Sequence, residues 1–174
     1  MKYGAALALS LSGDSVRSQA LANNLEKEFP DDTSVRFSYL PTVRAVLALN
    51  HREPAKAIKL LQVAVPYELS APRGSLQGFF GALYPIYVRG LAYLAEHDGT
   101  QAANEFQKIL DHRGVVISDP IGALAHFQQA RAYAMTGDRA KAKASYQEFL
   151  NLWKDADAEL PILNQARGEY AKLQ

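Results

Sequence analysis

Apolar residues recur every three or four positions through most of the chain, which is the spacing of one buried face of an α-helix. Two late segments show it most clearly, at Leu124, Phe127, Ala130 and Ala134 and then at Ala142, Tyr146, Phe149 and Trp153. No segment shows sustained alternation of apolar and polar residues, so the pattern predicts no β-sheet. The predicted class is all-α.

Prolines and acidic residues indicate where several helices begin. Asp119-Pro120 combines a capping carboxylate with a proline at the first helical position, where the missing N–H costs nothing. Glu53-Pro54 and Leu160-Pro161 place proline in the same way. These signals and the apolar spacing predict helix pairs over 2–12 with 15–28, 35–49 with 54–68, 78–96 with 100–112, and 120–135 with 139–153, followed by a helix over 161–173.

Residues of similar size recur at equivalent positions of the four pairs. A small residue lies early in each second helix, at Ser18, Ala57, Ala102 and Ala142. Another lies twelve residues earlier, at Ala6, Ala45, Gly90 and Ala130. Small side chains let two helices approach closely, while larger ones fill the space toward the next pair. The sequence therefore predicts a repeat array.

This pattern resembles the tetratricopeptide repeat, chiefly through Gly90, Tyr93, Ala102 and Phe106 and through Ala130, Tyr133, Gly137, Ala142 and Tyr146. Phe29-Pro30 matches the proline that closes a repeat. The small residues early in the second helices, from Ser18 to Ala142, lie 39, 45 and 40 positions apart, whereas the family repeats every ~34 residues. The resemblance implies a single domain over 1–174, a right-handed α-solenoid with units at 1–32, 33–77, 78–118 and 119–156 and a capping helix at 160–174.

The C-terminal half also resembles the repeat-containing tail of bacterial eukaryotic-like serine/threonine kinases. The resemblance runs through 106–110, 119–125, 152–157, 161–163 and 169–173. It implies the non-catalytic part of a larger signalling protein, because the chain has no Gly-rich phosphate loop, His-Arg-Asp or Asp-Phe-Gly motif. The alternative is a regulatory or oligomerisation domain of such a kinase.

Composition narrows the classes of partner. Nineteen basic and eighteen acidic residues leave a net charge of +1, which does not favour nucleic acid.

The uncharged run 74–88 is too short to cross a membrane. The uncharged run 3–13 imitates a signal peptide, but we favour a helix that ends at Gly13. A cytoplasmic location is favoured, and the periplasm is the alternative if a transmembrane segment precedes these residues in a longer parent.

The titratable residues do not form a recognisable catalytic or metal-binding motif, so we expect neither an enzyme nor a cofactor. No cysteine is present, and no two of the four histidines have the spacing of a metal site on a helix. Ser118, Asp119 and His112 invite comparison with a nucleophilic triad, but they share one connector, and capping explains Asp119 better. The acidic run 155–159 fits a solvated linker better than a calcium loop.

The remaining candidate is the concave face that the first helices of a tetratricopeptide array line. Carried over by position, the resemblance places these residues in a peptide-binding groove: Tyr39, Thr42, Val46, Asn50, Tyr84, Tyr87, Leu91, Phe127, Arg131 and Met135. Such a groove, largely apolar with one arginine, suits a hydrophobic or amphipathic segment of a protein partner. Two alternatives stay open: the aromatic residues pack against neighbouring helices, or the connector 66–81 fills the groove. Homo-oligomerisation through the apolar end of the array is a further expectation.

Overall fold

A computed structural model describes residues 2–69 and 83–173, and every regular element in these ranges is helical. The α-helices are α1 (Lys2–Leu11), α2 (Ser15–Glu28), α3 (Leu40–Asn50), α4 (Pro54–Leu61), α5 (Tyr84–Ala95), α6 (Gly99–Asp111), α7 (Arg113–Val116), α8 (Ile121–Met135), α9 (Arg139–Leu152) and α10 (Pro161–Ala171). None of these helices is long and apolar enough to span a bilayer. The predicted all-α class is confirmed. The start of the helix predicted over 78–96 and most of the connector 66–81 lie outside the described residues.

The helices differ from the prediction at three places. The segment predicted as one helix over 54–68 ends its α-helix at Leu61 and continues as a 3₁₀ turn, and the single turn α7 was not predicted. The segment 35–39 forms a π-helical turn, in which the Leu40 N–H donates to the Val35 carbonyl five residues earlier. Pro41 explains this shift, because it has no N–H to donate to the carbonyl four residues before it.

The turns inside the four helix pairs share one geometry. A residue with positive φ ends the first helix, at Gly13 (φ 88°), Arg52 (60°), His97 (60°) and Gly137 (81°). The following residue donates its N–H to the carbonyl five positions earlier, in Asp14 to Leu9, Glu53 to Ala48, Asp98 to Tyr93 and Asp138 to Tyr133. This bond and the left-handed residue define a Schellman motif, which satisfies carbonyls that a helix end leaves unpaired. The four turns therefore repeat the same backbone geometry, as the side-chain pattern repeats in the sequence.

The residue after each left-handed position also begins the second helix. The carboxylates of Asp14, Asp98 and Asp138 accept hydrogen bonds from the N–H three residues later, as N-cap side chains do. Glu53 does not cap α4 in this way, and its carboxylate pairs with Lys56. The longer glutamate side chain thus pairs with a neighbouring lysine instead of accepting a hydrogen bond from a backbone N–H.

The helices pack in chain order. Each of the four pairs forms a hairpin, each hairpin contacts the next, and the first helices α1, α3, α5 and α8 contact one another in sequence. The small residues predicted at the helix crossings are buried, and a Cβ added to Gly90 would lie 2.6 Å from the Phe106 ring. The second helix of this pair can therefore approach the first only because position 90 has no side chain.

A buried ion network joins the second pair to the third. Arg89 of α5 is 2% exposed, and its Nη2 donates to Glu68 at 3.0 Å and to Glu105 at 2.6 Å. Lys108 donates to the same Glu105 at 2.8 Å from the rim. The network holds the turn region that follows α4 against α5 and α6.

Candidate functional site

Four of the ten residues predicted to line the groove are buried. Thr42 and Val46 are 0% and 3% exposed on α3, Tyr87 is 7% exposed on α5, and Phe127 is 1% exposed on α8. The Thr42 hydroxyl donates to the Ser38 carbonyl at 2.6 Å. In this conformation these side chains offer almost no surface to a ligand.

The two buried aromatic residues, Tyr87 and Phe127, pack against neighbouring helices, which is one of the alternatives left open by the sequence. The Tyr87 ring meets the Phe106 ring edge-on, with centroids 5.8 Å apart. The Phe127 ring lies 5.2 Å from Phe149 and 6.1 Å from Tyr146. These contacts join α5 to α6 and α8 to α9, so both aromatics serve the packing inside a helix pair.

Tyr39 and Tyr84, which were predicted to line the groove, are half-buried and contact neighbouring side chains. Tyr39 stacks on Tyr3 of α1, with ring centroids 4.0 Å apart and planes within 12°. The Tyr84 hydroxyl donates to Asp119 at 3.1 Å. Burial raises the pKa of the Tyr84 hydroxyl, and the Asp119 carboxylate raises it further. Burial also raises the pKa of Asp119, although its hydrogen bonds from the Ile121 N–H and Tyr84 act in the other direction.

Two further predicted residues, Asn50 and Leu91, contact other parts of the fold. The Asn50 amide donates to the Ser10 carbonyl at 2.8 Å, which ties the end of α3 to the end of α1. Leu91 is partly buried and packs against the core formed by α5, α6 and α8. Neither residue lines the cleft described next.

Arg131 and Met135 line a cleft of about 460 Å³ between α5, α8, α9 and the C-terminal helix α10 with the turn after it. Its walls, here called the α8–α10 cleft, are formed by Leu94, Arg131, Ala134, Met135, Tyr146, Glu169, Lys172 and Leu173. Met135 is 40% exposed, so its side chain is accessible from solvent. The structure thus places two of the predicted groove residues together in a concave surface.

A half-buried ion pair forms the polar wall of the α8–α10 cleft. The Arg131 guanidinium donates to both Glu169 carboxylate oxygens, from Nε at 2.9 Å and from Nη2 at 2.5 Å. The Tyr146 hydroxyl donates to the same carboxylate at 2.7 Å. The guanidinium carbon lies 4.4 Å from the Phe127 ring centroid, a cation–π contact. A bidentate pair with an aromatic below it fixes the orientation of Arg131.

Burial and these hydrogen bonds act in opposite directions on the carboxylate. Burial tends to raise the pKa of Glu169, but the hydrogen bonds from Arg131 and Tyr146 outweigh it, so the pKa is lowered. The same pair raises the pKa of Arg131. Both groups are therefore charged at neutral pH. With Lys172 on the rim, the cleft has two cations and one anion beside an aliphatic wall.

Sequence reasoning missed the part that α10 plays. Glu169 lies 38 residues from Arg131, and the only sequence signal was the apolar face that predicted a final helix. That face is buried at Leu163 and Ala166 among residues of α8 and α9. Glu169 lies one turn after Ala166, at the edge of the same helix face, so this burial also brings its carboxylate to the cleft.

The other candidate residues are dispersed. The His112 ring nitrogen meets the Lys108 carbonyl at 2.6 Å, and Asp119 is engaged by Tyr84, so no hydrogen bond links these two members of the considered triad. Burial lowers the pKa of His126. The Asp157 carboxylate accepts the Glu159 N–H at 2.9 Å, a local turn. Across 2–69 and 83–173, no three His, Asp or Glu side chains are grouped as metal ligands would be.

Comparisons of the chain with protein-family models, with curated proteins and with solved structures find no match. The resemblances to tetratricopeptide repeats and to kinase tails therefore stay predictions from the sequence.

Proposed function

We propose that the chain is a protein–protein interaction module, built as a right-handed solenoid of four tetratricopeptide-like helix pairs with α10 as the capping helix. The four equivalent Schellman turns support this architecture, because they place the same reversal between the two helices of every pair. Sequential contact between hairpins also supports it, since each unit of a solenoid packs against its neighbours.

The observation that carries the proposed function is the α8–α10 cleft. Its apolar wall of Leu94, Met135 and Leu173 gives a side chain from a partner a surface to bury, as at the centre of peptide-binding sites. Lys172 and Arg131 exceed Glu169 by one positive charge. We therefore expect the partner to be a segment with one large apolar side chain and an acidic residue close to it.

Random peptides displayed on phage test this function with the full chain as target. We expect enriched peptides to combine an apolar residue with Asp or Glu, and to bind a Met135→Asp variant at least about tenfold more weakly, because the new carboxylate lies in the apolar wall. Leu152→Asp is the matched control, since Leu152 is 58% exposed on α9 and lies outside the cleft.

Circular dichroism establishes that both variants are folded. Failure to enrich any peptide would contradict the proposed function, and so would equal binding of the enriched peptides by wild type and Met135→Asp. Light scattering over a concentration series tests the rival role in oligomerisation. A dimer that Met135→Asp dissociates would assign the cleft to self-association.

A further inference from the structure

A second concave surface lies at the other end of the chain, between α2, α3 and α4. Its volume is about 740 Å³, larger than that of the α8–α10 cleft. The lining residues, here called the α2–α4 groove, are Ser15, Val16, Gln19, Ala20, Asn23, Arg44, Leu47, Ala48, His51, Lys56 and Leu60. The groove shares no residue with the cleft, so its role can be tested separately.

The walls of the groove are two helix faces with matching spacing. On α2 the lining positions are 15, 16, 19, 20 and 23, and along α3 and the residue that caps its end they are 44, 47, 48 and 51. Each set spans two turns of one helix face, or about 10 Å of axis. Small residues at Ser15, Ala20 and Ala48 leave room for a third backbone to approach closely. A groove of this length and shape fits two turns of a helix.

The groove exposes apolar surface that nothing in the described residues covers. Val16 is 83% exposed, although it is a β-branched residue at the start of an amphipathic helix. Leu47 and Ala48 form the floor and are 5% and 3% exposed. An apolar partner would remove the Val16 side chain from water, which favours association through the hydrophobic effect, and it would rest on the Leu47 and Ala48 floor.

The charges around the groove select the sign of the partner. Its described lining includes Arg44, Lys56 and His51 and no acidic residue. Arg44 pairs with Glu26 at 2.6 Å and Lys56 pairs with Glu53 at 2.7 Å, both outside the lining. The four side chains of these pairs are 35–60% exposed, and such solvated pairs contribute about 1 kcal/mol or less, so either cation can turn to a carboxylate of a partner at small cost.

We propose that the α2–α4 groove is a docking site for an amphipathic helix of a partner protein, with apolar residues at i, i+3, i+4 and i+7 and acidic residues on its flanks. The apolar face packs on Val16, Leu47 and Leu60. The flanking carboxylates bind Arg44 and Lys56. The module then holds two partner segments at once, one at each end.

A pair of designed helical peptides tests this docking site with the full chain. Both are about 14 residues long and have Leu at the four spaced positions; one has Glu on its flanks and the other has Lys. We expect fluorescence anisotropy to detect the Glu peptide at micromolar concentration and to show at least about tenfold weaker binding of the Lys peptide. Added salt weakens the difference, because the flanking contacts are exposed.

Two variants locate the binding. Val16→Asp is expected to weaken the Glu peptide by about tenfold or more, while Ile117→Asp, at a position equally exposed (82%) but outside the groove, leaves it unchanged. Arg44→Glu combined with Lys56→Glu is expected to reverse the preference toward the Lys peptide.

Absence of binding by the Glu peptide would overturn the proposal, as would equal affinity for both peptides or binding that Val16→Asp leaves intact. A concentration-dependent dimer that Val16→Asp abolishes would also overturn it, because the occupant would then be a second copy of the chain. None of these outcomes bears on the α8–α10 cleft, whose test uses Met135→Asp.

Discussion

Replacing Gly90 with alanine tests whether the third helix pair depends on a missing side chain. The added Cβ would lie 2.6 Å from Cε1 and Cζ of Phe106 and 3.1 Å from its Cδ1. Ordinary contact begins near 3.4 Å, so the ring must retreat by about 0.8 Å. Phe106 is fully buried and meets Tyr87 edge-on, and therefore has little room to move.

Two effects of opposite sign set the size of the change. Overpacking of a core costs about 1–3 kcal/mol. Alanine in place of glycine inside a helix raises the free energy of unfolding by about 1 kcal/mol, because the unfolded chain loses conformational freedom. We expect a net loss of about 1 kcal/mol for Gly90→Ala, which corresponds to a fall in Tm of about 3 °C at this chain length. Gly90→Leu is expected to lose about 3 kcal/mol, since its larger side chain cannot be accommodated by a ring shift.

Urea and thermal unfolding followed by circular dichroism measure both quantities. Gly168→Ala is the matched control: Gly168 also lies inside a helix, and a Cβ there meets no atom within 4 Å, so this variant gains stability. Adding Phe106→Leu to Gly90→Ala is expected to cost less than the sum of the single changes. If Gly90→Ala gains as much stability as Gly168→Ala, the close approach of α5 and α6 does not depend on the missing side chain at position 90.

Three further predictions concern the turns and the ion pairs. His97→Gly is expected to raise stability by about 1 kcal/mol in urea unfolding, because position 97 has φ near 60° and glycine adopts this backbone without the Cβ penalty; unchanged stability would refute the shared turn geometry. Arg89→Met is expected to lower the free energy of unfolding by about 3 kcal/mol, because it leaves the buried Glu68 carboxylate without its cation and Glu105 with Lys108 alone, and a loss below about 1 kcal/mol would show that water reaches the network. The lowered pKa of Glu169 means that its pair with Arg131 stabilises α10 at neutral pH and that this contribution is lost as the pH falls through the folded pKa, below the ordinary value of 4.5. The protection factors of the α10 amide hydrogens, which compare each exchange rate with the intrinsic rate at the same pH, are therefore expected to fall at acid pH in wild type and to depend less on pH in Glu169→Gln.

The local features of the fold could be predicted from the sequence because short-range interactions set them. Apolar spacing predicted the helices, and the recurrence of small residues predicted where they cross. At Gly137-Asp138 the residue types themselves favour the turn, because glycine adopts positive φ and aspartate caps the next helix. The same turn at Arg52-Glu53, without either residue type, shows that the packed hairpin imposes the geometry when the local preference is weak.

Which side chains stay accessible to a partner depends on contacts between helices that are distant in the sequence. The sequence placed Phe127 and Arg131 on one helix with the spacing of a single face. Only the packing of α9 and α10 against α8 buries Phe127 and directs Glu169 toward Arg131. The ion network around Arg89 is likewise tertiary. Helix periodicity fixes which residues share a face, whereas burial and ion pairing depend on the elements that later cover that face, which no local pattern specifies.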